Sequence, residues 1–190
     1  MSAAKLPDNF YDKIKPHLHK RIGRELYSAQ HVLDLGCGDC ELARYLADTY
    51  DQQVTGVDTS DESFPSYKDI TKNNKNIRCI RADAENLEPF YGTMDAVVTM
   101  WALHEMQRPQ TVLRQAYRAL RPGGEILIVE FPRDSLAQRL WNENYYYREE
   151  IVKLLREAGF ENIQSKLIER KQIMWFKAAS KILAMNAKKQ

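Results

Sequence analysis

Long apolar runs are missing from this sequence. Stretches such as Ile126–Val129 fall far short of the roughly 20 residues that span a bilayer, so no membrane span is expected. The first 20 residues hold no apolar segment, and no secretion signal is expected either. No charge sign dominates: 28 basic residues stand against 26 acidic ones, for a net charge of +2. That balance leaves no electrostatic footprint for nucleic acid. Cysteine is scarce. An odd count of 3 in a chain with no signal predicts reduced thiols in a cytoplasmic protein. What is present is an ordinary soluble composition, 44% hydrophobic and 28% charged over 190 residues. It excludes a collagen-like repeat and a disordered tail. A chain this long buries roughly 70% of its unfolded surface and needs no staples. It reads as one domain over 1–190, with a helical arm at 1–29, a core at 30–180 and a tail at 181–190.

The apolar pattern alternates between two periods. His31–Leu35, Gln53–Asp58, Ile77–Ala82, Asp95–Met100 and Glu125–Phe131 are short, β-branched and nearly continuous, the pattern of strands covered on both faces. Helical stripes lie between them. Asp39–Tyr50 carries Leu42, Leu46 and Tyr50; Arg108–Arg121 carries Val112, Leu113, Ala116 and Leu120 and should stop at Pro122-Gly123-Gly124. This alternation predicts an α/β fold with a doubly wound parallel sheet. The arm at 8–28 repeats Phe10, Ile14, Leu18, Ile22 and Leu26 every four residues. It is one amphipathic helix, or two if Pro16 breaks it. After a helix at Tyr147–Ala158, Phe160–Ile168 and Gln172–Ala179 predict an antiparallel strand pair.

The segment Val32–Cys40 carries most of the chemistry. A strand runs into Gly36-Cys37-Gly38 and straight on into a helix, and glycine is needed where backbone turns tightly against a ligand. Asp58 ends the second strand 22 residues after Gly36, near the spacing expected of an acid that accepts hydrogen bonds from ribose hydroxyls. A nucleotide-like cofactor is therefore expected. The dinucleotide pattern wants a third glycine where Glu41 stands. An acid there repels a pyrophosphate at the helix N-terminus. The loop suits a ligand without phosphate that carries an ammonium and a carboxylate, and Asp34 could support the ammonium or the loop amides. Cys37 and Cys40 also form a C-x-x-C at a helix start, the placement of a thiol–disulfide redox pair.

Five segments in order, DLGCG, VDTS, RADAENL, DAVVTMWALHEM and LRPGGEILIVEF, resemble the class I S-adenosylmethionine-dependent methyltransferases, in the small-molecule branch related to quinone biosynthesis. Cys40 stands where that pattern often has a third glycine. The resemblance implies a sheet of seven strands, mostly parallel, with one antiparallel strand near the C-terminal edge and helices on both faces. It implies that S-adenosyl-L-methionine binds and leaves as S-adenosyl-L-homocysteine. Gly36, Cys37 and Gly38 would approach the methionine part and Asp34 its amino group. Asp58 and Thr59 would meet the ribose, Asp83 and Ala84 the adenine, and Met100 and Trp101 the sulfonium. Tyr11 would close over this site from the arm.

The same resemblance puts the acceptor beside His104, a residue able to take a proton near neutral pH. The aromatic run Tyr145–Tyr147 lies near the same edge, with Tyr146 the expected acceptor-side residue. Each has a plainer alternative: a histidine bonded at a helix start, or an aromatic packed on a helix. With no insertion large enough for a separate substrate domain, the acceptor is expected to be a small molecule. No metal site is expected, since His17 and His19 add little to one cysteine pair. The alternatives are a redox protein using Cys37 and Cys40, and a non-catalytic partner protein that keeps the cofactor site.

Overall fold

The computed structural model describes residues 6–66 and 74–181. Seven strands form one sheet: β1 His31–Leu35, β2 Gln53–Asp58, β3 Ile77–Arg81, β4 Met94–Met100, β5 Leu120–Glu130, β6 Glu161–Ile168 and β7 Ile173–Ala179. Their order is β3-β2-β1-β4-β5-β7-β6. Only β7 runs against its neighbours, pairing antiparallel with β5 and β6. The strand order reverses at β1, which pairs with β2 on one side and β4 on the other. In open α/β sheets ligands bind beyond the carboxyl ends at such a point.

Among the described residues five α-helices cover the sheet: α1 Phe10–Glu25, α2 Glu41–Tyr50, α3 Pro109–Ala119, α4 Leu136–Trp141 and α5 Arg148–Ala158. Strand residues alternate between two cores because successive side chains leave opposite faces. Val32, Val54, Val98 and Val129 pack with Ile14, Leu18 and Ile22 of α1 and Leu42 and Leu46 of α2. Leu33, Val57, Val97 and Ile128 pack with Val112, Leu113 and Ala116 of α3 and Ile151 and Leu155 of α5.

Of the two readings of the arm, the single helix holds, and two other expectations need correction. Pro16 sits inside α1, which continues past it unbroken. Leu18 and Ile22 on that helix are fully buried. Each such side chain contributes about 1.5–3 kcal/mol, which offsets the ~3 kcal/mol that an interior proline costs. First, α3 ends at Ala119 and β5 begins at once with Leu120. Leu120 pairs with Met94, and Ser180 N–H donates to the Gly124 carbonyl, so sheet pairing claims the residues that local pattern assigns to the helix end. Second, Cys40 is bonded to Cys79 and only Cys37 is free. Strands β2 and β3 are paired neighbours, which brings Cys79 under the glycine loop from a distance in sequence. Apart from Lys181, the tail expected at 181–190 lies outside the described residues.

Candidate active site

The turn after β1 brings three remote segments together. Gly36 has φ +71°, and a Cβ there would lie 2.3 Å from Ala102 Cβ; the loop can follow this path only with glycine. Its N–H and that of Cys37 donate to the Val57 carbonyl at 2.8 and 3.1 Å, which ties the loop to the end of β2. Gly38 N–H donates to Asp58 Oδ2 at 3.0 Å. Cys40 follows with φ 58°, the left-handed conformation that glycine adopts most readily.

Two cavities open at this edge and share Gly36. One, of about 290 Å³, is lined by Asp58, Thr59, Asp83, Ala84, Ala102 and Glu105 among others. The second, of about 220 Å³, lies against Asp34, Cys37, Gly38, Met100 and Trp101, with Lys15 and His19 of α1 on its far side. The structure therefore brings every residue expected near the cofactor to these walls except Tyr11. Tyr11 is buried in an aromatic cluster, 4.8 Å from Phe131 and 5.2 Å from Trp141 between ring centres, and its hydroxyl accepts from Ala137 N–H at 2.9 Å. Asp83 is exposed and its Oδ1 accepts from Glu85 N–H at 2.8 Å, so it shapes a turn as well as lining the cavity.

Asp34 is 2% exposed, and its Oδ2 has no hydrogen-bond partner. Burial, with the nearby charges of Asp58 and Asp39, pushes its carboxyl pKa up to about 7. An unpaired buried carboxylate is costly unless a cation or donor reaches it. Trp101, at the end of β4, sits at φ 59°, an uncommon conformation for a bulky residue and one that clusters at functional sites.

Beyond Trp101 lies a second cluster. The His104 side chain is 3% exposed and both ring nitrogens meet carboxylates. Nδ1 is 2.9 Å from Glu130 Oε1, and Nε2 is 2.8 Å from Glu143 Oε2 and 3.9 Å from Glu105 Oε1. Burial alone would lower its pKa. The bond to Glu130 and the charges of Glu130, Glu105 and Glu143 outweigh that and raise it. Glu130 is wholly buried and also accepts from the backbone N–H of Phe131 and of His104. The aromatic against His104 is Tyr145, at 4.6 Å between ring centres. Tyr146 packs instead with the α3 and α5 side of the sheet, and its carbonyl accepts from Arg133 N–H. Glu130 and Glu143 escape a reading of the sequence, and within the expected run Tyr145–Tyr147 it is Tyr145, in place of Tyr146, that meets the histidine. The one visible signal is an acid closing the apolar run of β5.

The cysteines do not form the C-x-x-C bond. Cys37 Sγ lies 3.5 Å from Cys40 Sγ, whose bond is to Cys79. Gly56 makes room for them, since a Cβ there would be 2.7 Å from Cys37 Sγ. Burial and the charges of Asp34 and Asp58 push the Cys37 thiol pKa well up, which makes it a poor nucleophile. The redox alternative is not favoured.

Comparison with known proteins agrees with this geometry. The family described as "Methyltransferase domain" matches residues 33–128. Phosphoethanolamine N-methyltransferase 1 of Triticum aestivum is 28% identical over 149 residues, 73% of this chain and 30% of that protein. The tRNA U34 carboxymethyltransferase of Pseudoalteromonas translucida is 28% identical over 190 residues, 90% of this chain and 56% of that protein. The chain thus spans about a third to just over half of these curated relatives. The crystal structure of Burkholderia thailandensis 1,6-didemethyltoxoflavin-N1-methyltransferase, with bound 1,6-didemethyltoxoflavin and S-adenosylhomocysteine, superposes with a TM-score of 0.71. Its sequence is 21% identical, over 91% of this chain and 84% of that one, and the likeness is one of fold.

Proposed function

The chain belongs to the methyltransferase-domain family, and on that premise we propose that it transfers a methyl group from S-adenosylmethionine to a small-molecule acceptor, leaving S-adenosylhomocysteine. The observation that carries this reading is the unpartnered, buried carboxylate of Asp34 lining one of two cavities that meet at Gly36, at the strand-order reversal. S-adenosylmethionine fits that chemistry, since it offers an ammonium, a carboxylate and a nucleoside but no phosphate. When bound it supplies an electrophilic methyl on sulfur.

In this reading Asp34 holds the ammonium, and the backbone of Gly36, Cys37 and Gly38 packs against the methionine part. Lys15 is the cation available to the carboxylate, at present paired with Glu41. Asp58 and Thr59 bind the ribose; Asp83 and Ala84 flank the adenine. Met100 and Trp101 wall the reacting centre. Alignment of the two reactants can by itself supply about 7–11 kcal/mol. His104 takes the acceptor's proton at Nε2, and Glu130 holds the ring by Nδ1 and stabilises the imidazolium. Glu143 now occupies the position that this proton would fill, so the acceptor must displace it.

A nucleic-acid acceptor is the second reading, since one relative is named for tRNA. The net charge of +2 disfavours it. Among the described residues no helix is long and apolar enough to cross a membrane. A cytoplasmic location stays part of the proposal; the Cys40–Cys79 bond is the feature that argues the other way.

The test is release of S-adenosylhomocysteine with thiols, phenols, amines, quinol-like compounds and tRNA as acceptors. His104→Ala should lower the rate on the accepted compound by ~10²–10⁴-fold with little change in cofactor affinity. Equal rates and equal acceptor KM would remove the base assignment. Turnover with tRNA alone would overturn the small-molecule reading.

A further inference from the structure

We propose that Glu143 is an internal latch. Its carboxylate keeps His104 from acting as a base, and the span 138–144 that carries it is a gate the acceptor must open. This rests on the methyl-transfer reading and adds how the proton-accepting site of that reading is controlled.

Nδ1 of His104 meets Glu130 at 2.9 Å and Nε2 meets Glu143 at 2.8 Å. An ionised carboxylate only accepts, so each ring nitrogen brings a proton. The ring is then an imidazolium with no free lone pair, and in this arrangement it cannot take a proton from an acceptor. The raised pKa of the ring agrees with that state. His104 is also out of reach: its side chain is 3% exposed, and it lines neither cavity at the cofactor edge.

Of the two carboxylates, Glu143 is the one free to let go. Glu130 is wholly buried and accepts from the backbone N–H of His104 and of Phe131 as well as from the ring. Glu143 has a side chain 46% exposed, and among the described residues its carboxylate has no other ion-pair partner. Water can solvate it when it leaves, while the ring keeps Glu130.

The span around Glu143 can lift as a piece. Residues 139–144 are exposed and Gln138 is half-buried. The chain is anchored before the span by Ala137 N–H on the Tyr11 hydroxyl, and after it by the Tyr145 carbonyl, which accepts from Arg133 Nε at 2.7 Å. Gln138 Nε2 donates to the Glu143 carbonyl at 2.7 Å, and Asn142 N–H to the Gln138 carbonyl at 3.1 Å, so these bonds travel with the span. The other contact that holds it down is Trp141, 47% exposed, against the rings of Tyr11 and Phe131.

The titratable groups facing His104 are Glu105 from its own turn, Glu130 from the end of β5, and Glu143 and Tyr145 from the segment after α4. Glu105 stands 3.9 Å from Nε2, too far for a hydrogen bond. With Glu143 swung out, the Nε2 proton passes to water and Nδ1–H stays on Glu130. The lone pair left on Nε2 is the one that takes the acceptor's proton. Latch and acceptor compete for one position, so the closed population lowers the apparent affinity for the acceptor.

The experiment is proton–nitrogen NMR of the protein labelled with ¹⁵N-histidine, with His104→Ala identifying the His104 signals. Below the ring pKa the wild type should show both ring N–H protons of His104, protected from exchange with water. In Glu143→Ala the Nε2 proton should vanish into exchange while the Nδ1 proton stays, and the ring pKa should fall by at least about half a pH unit. Glu105→Gln should keep both ring protons visible. With an acceptor found by the screen above, Glu143→Ala should lower its KM at least about twofold without lowering kcat. The acidic limb of the pH–rate profile should move down with the ring pKa. An Nε2 proton that survives in Glu143→Ala, an unchanged ring pKa, or a raised KM, the sign of an acceptor bound by Glu143 itself, would overturn the latch. No release of S-adenosylhomocysteine with any acceptor would instead refute the methyl-transfer reading, since the ring protons are observed without an acceptor.

Discussion

Asp34→Asn should make the protein more stable and a worse binder of its cofactor. The substitution keeps the shape of a 2%-exposed side chain and removes its ionisation. The folded-state pKa is about 7 against an ordinary 3.8, so the folded state holds the proton more tightly than the unfolded chain does. Stability from this group is therefore fully present below about pH 3.8, is lost as pH rises toward 7, and is flat above that. The loss amounts to at most about 4 kcal/mol. Urea unfolding at pH 8 should show the Asn variant more stable by up to that amount, with the two proteins converging near pH 4. Titration with S-adenosylhomocysteine should show the opposite ranking. Wild-type affinity should climb with pH up to about 7 and then level, because the ammonium needs the ionised carboxylate. The variant should bind ~10–100-fold more weakly at pH 8, the loss of one charge-assisted hydrogen bond, with no pH dependence from this group. A variant that is less stable at pH 8 and binds normally would refute the assignment of Asp34.

Gly36→Ala should weaken cofactor binding and lower stability by a few kcal/mol, since its Cβ meets Ala102 and its φ is positive; Ala102→Gly should restore part of the loss, and a silent Gly36→Ala in both assays would count against the loop geometry. Thiol titration of the unfolded, unreduced protein should find one free thiol, Cys37, with peptide mapping placing the bond at Cys40–Cys79. Reduction should then lower the unfolding free energy by about 2–4 kcal/mol for a loop of this length. Three free thiols would return the protein to the reduced state that its cysteine count predicts.

Local signals carried the half of the site built from consecutive residues. The strand, the Gly36-Cys37-Gly38 turn and α2 are adjacent in sequence, and Asp58 follows at a spacing set by one helix and one strand. Even the departure at Cys40 has a backbone reason, because its φ of 58° is what a glycine would supply. The acceptor side was only partly legible. His104 stands out near the end of β4, but its partners come from the end of β5 and from the loop after α4. Glu130 reaches His104 because β4 and β5 are paired neighbours, a fact of topology. Tyr145 and Tyr146 are indistinguishable by composition. Only the backbone pairing of the segment, with Pro132 bridged to Tyr146, turns Tyr145 toward the histidine. Pro16 left the arm open between one helix and two, and the start of β5 misled, for one reason: burial and sheet pairing outweigh a local preference worth a few kcal/mol.

Everything proposed for the site depends on S-adenosylmethionine binding at the edge of β1, β2 and β4. Equilibrium titration of the purified protein with S-adenosylhomocysteine, and separately with NAD, tests it most directly. Saturable binding of S-adenosylhomocysteine at one site and none of NAD is expected, with Asp58→Ala weakening the complex by ~1–3 kcal/mol through loss of a charged acceptor for the ribose hydroxyls. Tight binding of NAD with no response to S-adenosylhomocysteine would contradict it.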